Sequence, residues 1–110
     1  MRTFILNGNE YIAKPFDFNM VCDLEDMGVS LEEAHEKPTA MVRAYVAVCI
    51  GRNKEFAGAE MEQHIINGGS FAEIMGIMSD EMDKSDFFRH IKKAKRQEIA
   101  ENQSEETETK

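Results

Sequence analysis

Two short runs, Thr3 to Leu6 and Glu10 to Lys14, flank the dipeptide Asn7-Gly8. Asn-Gly is favoured where both central residues of a two-residue turn need positive φ, so the pattern predicts a β-hairpin over residues 3 to 14. Two strands alone are not stable in water; the hairpin must lie on helices or gain strands from another copy. Beyond Pro15 the apolar period becomes helical. Met20, Val21, Leu24 and Met27 share one face behind a cap at Asp17 or Asn19, and Gly28 ends that helix. Ser30-Leu-Glu-Glu33 reads as a capping box, in which the serine oxygen and the glutamate carboxylate each satisfy an orphan backbone donor at the start of a short second helix. Pro38 suits the first turn of a third.

From Ala40 to Ile50 the only charged residue is Arg43, so this helix is expected to be buried on most sides as the central core helix, with Gly51 as its stop. After the polar stretch 52–55 comes a weaker helix through Met61, His64 and Ile65, with Gly58 weakening its start. Asn67-Gly-Gly69 is a break, and Ser70-Phe-Ala-Glu73 is a second capping box. Phe71, Ile74, Met75, Met78 and Met82 then fall within about 100° on a helical wheel. That stripe loses phase near Ser85-Asp86, where Phe87, Phe88, Ile91 and Ala94 begin another, which predicts a kink or a fresh helix. The expected fold class is α+β, mainly α: an N-terminal hairpin followed by a compact bundle of about five helices, in one domain over residues 1–100. Residues 101–110 contain no apolar side chain to offset the entropy of ordering and are expected to be a disordered acidic tail.

Composition narrows the function classes. A net charge of -8 disfavours general nucleic-acid binding and acidic membranes, because both draw affinity from Lys and Arg. The longest apolar run, Tyr45 to Ile50, is far short of the roughly 20 residues that cross a bilayer. The first residues lack the charged, apolar and small-residue pattern of a signal peptide, so a reducing cytoplasm is expected, with Cys22 and Cys49 as buried thiols.

Candidate chemistry is sparse. His35, His64 and His90 lie in separate segments outside any catalytic or metal-binding motif. Glu60 and His64, four apart, read as a pair along one helix face. Seven carboxylates between Asp17 and Glu36 do not follow the spacing of a calcium loop and read as a solvated acidic surface. Gly68-Gly69-Ser70 precedes a helix but lacks the lysine of a phosphate loop. No catalytic, cofactor or metal residues are assigned. What stands out is the Met-rich stripe, since flexible thioether side chains adapt to varied apolar partners. Ordinary core packing is the competing use of the same stripe.

Taken in order, Leu6-Asn-Gly-Asn-Glu-Tyr11, Phe16-Asp-Phe-Asn-Met-Val-Cys-Asp-Leu-Glu-Asp-Met-Gly28, Ser30-Leu-Glu-Glu33, Met41-Val-Arg-Ala-Tyr-Val-Ala-Val48 and Ala59-Glu-Met-Glu-Gln-His-Ile-Ile66 resemble the small tail assembly chaperones of long-tailed bacteriophages and prophages. The likeness runs from Phe4 to Met82. It implies a non-enzymatic protein of the host bacterial cytoplasm, absent from the mature virion. Such a protein keeps the tape measure protein soluble and helps recruit tail tube protein. On this reading Phe71, Ile74, Met75, Met78 and Met82 are the partner-binding residues, no cofactor is needed, and self-association through the hairpin edge is open. The alternative is a regulatory or adaptor module whose basic helix, residues 87–96 with Arg89, Lys92, Lys93, Lys95 and Arg96, binds nucleic acid or an acidic protein.

Overall fold

Strand β1 (Thr3–Leu6) pairs antiparallel with β2 (Asn9–Ile12), Thr3 opposite Ile12 and Leu6 opposite Asn9, in a computed structural model that describes residues 2–33 and 36–90. The turn between them has φ of 50° at Asn7 and 87° at Gly8, the doubly left-handed geometry that Asn-Gly accepts. Phe4 and Leu6 point inward and are buried, and the Tyr11 ring lies 5.9 Å from that of Phe4. Ile5 and Ile12 face outward. The second strand stops at Ile12, two residues short of the expected Lys14. The backbone of Lys14 is claimed by a helix instead: its N–H donates to Cys49 Sγ at 3.5 Å and its carbonyl accepts from the Tyr45 hydroxyl at 2.7 Å.

Helix α1 (Phe18–Asp26) begins where Asp17 accepts from the Met20 N–H at 2.8 Å, and ends where Gly28, with φ of 90°, lets the Val29 N–H turn back to the Leu24 carbonyl. The expected second helix is a single 3₁₀ turn, Leu31–Glu33. The Ser30 hydroxyl donates to the Glu33 carboxylate at 3.1 Å and the Glu33 N–H goes to the Ser30 carbonyl, so only one half of the capping box forms, the carboxylate accepting from the Ser30 backbone N–H. Lys37, 3.0 Å away, and that hydroxyl hold the Glu33 carboxyl below its usual range. Pro38 bars Lys37 from the helical region, so no helix can run through this stretch into the next. His35 lies outside the described residues.

Helix α2 (Pro38–Ile50) takes Pro38 in its first turn and ends at Gly51, whose φ is 72°. Met41, Val42, Ala44, Tyr45, Val46 and Ala47 are buried. Strand β2, helix α1 and the two helices that follow all pack against it. The Phe16 ring stacks on Tyr45 with centroids 5.1 Å apart and planes 9° from parallel, and Phe88 meets the edge of Phe16 at 5.9 Å. Helix α3 (Lys54–Ile66) returns along α2 after a short turn, capped by Asn53, which accepts from the Phe56 N–H at 2.7 Å. Gly58, expected to weaken the start, lies inside this helix.

Helix α4 (Phe71–Lys84) opens as expected, with Ser70 Oγ accepting from the Glu73 N–H at 3.1 Å. The helix breaks at Ser85, whose hydroxyl accepts from the Phe88 N–H and donates to the Phe16 carbonyl, and residues 86–90 are helical again. The phase slip in the apolar pattern thus marks a true break. The rest of the basic helix and the acidic tail lie outside the described residues. Cys22 and Cys49 are free and half-buried, not fully buried as expected. Among the described residues no helix is long and apolar enough to cross a membrane.

Burial pushes the Tyr45 phenol well above its ordinary value, and the neighbouring Cys49 adds to the shift. Burial likewise raises the Cys49 thiol, partly offset by the Lys14 N–H. Both shifts favour the protonated form in the fold. Their stabilisation is complete below the unfolded values, roughly pH 8.5 for the thiol and 10 for the phenol, and is lost as pH rises beyond them. Urea denaturation should therefore show stability falling above roughly pH 9. Tyr45→Phe should flatten that fall while costing about 1 kcal/mol at neutral pH through the bond lost to Lys14; an unchanged slope in this variant would assign the alkaline loss elsewhere.

Candidate functional site

The five residues of the Met-rich stripe separate once α4 is packed. Ile74 and Met78 are buried in the protein's own core, together with Ile77, while Phe71, Met75 and Met82 are half-buried against it. The inward face of α4 is centred on Ile74, Ile77 and Met78, so Ile74 and Met78 do not form a free surface. A helical wheel finds the apolar face but does not say whether the chain itself covers it. Of the five, Phe71 lines an open apolar depression.

That depression is a groove of about 470 Å³. Thr39, Ala40 and Arg43 of α2 form one wall, Gly58, Met61, Glu62 and Ile65 of α3 the other, and Phe71 of α4 closes one side. The spacing of 58, 61, 62 and 65 is that of one helix face. Gly58 sets the fit between the walls, since a methyl there would lie 3.3 Å from Cδ of Arg43. Ile65 is 45% exposed on the groove and Ile66, beside it, is 69% exposed. Other exposed apolar side chains are Ile5 and Ile12 on the outer hairpin face, and Phe18, whose ring packs edge-on against Phe87 at 5.7 Å.

Glu60 and His64 do not pair with each other. Both reach across to the hairpin turn, where His64 Nδ1 accepts from the Asn7 N–H at 2.9 Å and Glu60 accepts from the Asn7 side-chain amide at 2.8 Å. Asn67 donates to Asn7 Oδ1 at 3.3 Å. Acceptance at Nδ1 requires a neutral imidazole with its proton on Nε2. The Gly68-Gly69 segment serves this joint: Gly68 has φ of 95°, and a methyl on Gly69 would fall 2.2 Å from His64 Nε2. Gly69 makes room for an imidazole that fastens the hairpin to α3, while Gly68 supplies the positive φ of the turn. Among the described residues no group of three His, Cys, Asp or Glu is placed to hold a metal ion. Of the basic helix, Arg89 pairs with Asp86 at 2.5 Å and His90 Nδ1 contacts the Asp86 carbonyl at 2.7 Å, while 91–96 lie outside the described residues.

Residue spacing alone did not single out the groove. Its two sequence signals were the lone Arg43 in an apolar helix and a glycine within the next helix; only the pairing of α2 with α3 puts them face to face. The chain gives no match to a known protein family, to a curated protein or to a solved structure.

The joint at the hairpin turn makes a coupled prediction. Gly69→Ala should cost about 1 kcal/mol by displacing the His64 ring from Asn7, and His64→Ala should cost a similar amount. In the double variant the two losses should not add, giving a coupling of at least about 0.5 kcal/mol by denaturant titration. Additive losses would mean that the glycine serves some other contact.

Proposed function

We propose that this chain is a non-enzymatic assembly chaperone of the phage tail class, which binds the tape measure protein, keeps it soluble and helps recruit tail tube protein around it. It acts in the host bacterial cytoplasm and leaves before the virion is complete. The observation that carries the binding part of this reading is the groove between α2, α3 and α4, an open apolar depression continuous with the exposed Ile65. A holdase needs apolar surface that stays accessible in the folded state, on a molecule kept soluble by charge, and the net charge of -8 supplies the second requirement. The family assignment and the identity of the partner rest on the resemblance of residues 4–82.

The binding residues are those at the groove mouth, Ile65 and Phe71, above a floor formed by the buried Met61, in place of the full α4 stripe. Met78 is unsuited to a binding test because it is 5% exposed, and a charge there would disrupt the core. Ile65→Asp should leave the helical circular dichroism and melting temperature nearly unchanged and abolish co-purification with the tape measure protein, which should then appear in the insoluble fraction. Ile12→Asp, on the hairpin face outside the groove, should retain capture. Undiminished capture by Ile65→Asp would remove the groove from the function.

A further inference from the structure

Among the described residues Arg43 is a cation without an acceptor. It is the only charged residue between Ala40 and Ile50 and is half-buried. Its Nε is shut off from solvent and has no hydrogen-bond partner among the described residues. No carboxylate there lies within ion-pair distance of its guanidinium, Glu62 on the facing wall included. A buried donor left unmade is destabilising, and an apolar side chain of similar length at this position would avoid the penalty. Arg43 also lines the groove that contains Ile65.

The walls of the groove decide the shape of the occupant. Both are α-helices, whose backbone groups beyond the first turn are consumed internally, so apart from the first-turn N–H groups of Thr39 and Ala40 they offer an extended peptide no ladder to bond. A strand laid there would bury its own N–H and C=O groups unpaired, whereas a helix arrives with them satisfied. The α3 wall runs from Gly58 to Ile65, which at 1.5 Å per residue is about 10 Å, or two turns of a partner helix. An apolar stripe at helical spacing fills such a groove. The unpaired guanidinium then selects what flanks the stripe, because arginine and carboxylate form a two-pronged, charge-assisted bond strengthened where water is excluded.

We infer that the groove recognises an amphipathic helix whose apolar stripe is flanked by a carboxylate, and that Arg43 reads that carboxylate. This rests on the groove being the partner surface, and it adds the partner's chemistry: an acidic side chain beside apolar residues, in helical conformation. Arg43 is then a specificity residue that costs the free protein stability.

The test uses fluorescent helical peptides with a constant leucine stripe and one variable residue, Glu, Gln or Lys, placed in turn at four successive positions flanking the stripe. Binding to the full chain is followed by anisotropy. At one position the Glu peptide should bind roughly tenfold more tightly than the Gln peptide, with Lys weaker still, the scale of a desolvated charge pair. Arg43→Met should bring the three within about twofold of one another, and Arg43→Lys should retain only part of the preference, since the fork is lost. Arg43→Met should also melt no lower than the parent, which a purely structural arginine would not allow. Equal affinities at all four positions, or a preference that survives Arg43→Met, would overturn the inference. If binding persists without acid preference but is lost in Ile65→Asp, the groove reading stands and only the role of Arg43 fails. Binding indifferent to Ile65→Asp, or no binding by any peptide, overturns both.

Discussion

A helix with almost no polar face has to be surrounded, and α2 imposes that requirement on everything else. Its buried residues, from Met41 through Ala47, point in all directions around the helix axis. No single layer can cover them. The hairpin, α1, α3 and α4 each bring one apolar face to it, and the strap between β2 and α1 completes the enclosure. The strap carries polar backbone into the interior. Its groups are met by side chains: the Tyr45 hydroxyl and the Cys49 sulfur take those of Lys14, and the Ser85 hydroxyl takes the Phe16 carbonyl. Phe16, stacked on Tyr45, is therefore both core and fastening.

Among the described residues the same enclosure leaves one face of the α2–α3 pair uncovered. Toward the α2 N-terminus, Ala40 and Thr39 are small, Gly58 opposite has no side chain, and α4 crosses with only Phe71 at the edge. The result is a groove with apolar helical walls and, among the described residues, an unpaired cation at Arg43. On the proposed function, such a surface suits the covering of another protein's helix. The Met-rich stripe, by contrast, packs largely inward, which is why the proposed binding face lies at the groove instead. Methionine there serves the protein's own interior, where a flexible side chain fills irregular space.

The hairpin illustrates a different division of labour. A two-stranded ribbon needs support, and here the support includes a specific polar joint as well as apolar burial of Phe4 and Leu6. Asn7 serves twice, adopting the left-handed turn conformation and presenting its N–H and amide to His64 and Glu60. His64 and Glu60 are four apart on one helical face, as their spacing indicates, yet they act together on a third residue and not on each other. Gly69 has no chemical role; its missing side chain is the space the imidazole occupies.

The sequence by itself determined the local elements, because they depend on interactions between neighbours along the chain. Asn7-Gly8 dictates the turn, Asp17 and Ser70 cap their helices, Gly28 and Gly51 supply positive φ where helices end, and the phase slip at Ser85 breaks the last of them. The near-absence of charge in α2 similarly foretold its central place. Tertiary structure alone decided which apolar faces were consumed and which stayed open, since that depends on the partners α2 and α4 acquire from distant parts of the chain. It also decided that Ser30 and Glu33 would bond to each other in a single tight turn, that His64 and Glu60 would reach 57 and 53 residues back to Asn7, and that Arg43 would face Gly58 in a groove. Periodicity along one helix states what that helix can bury; only packing states against what.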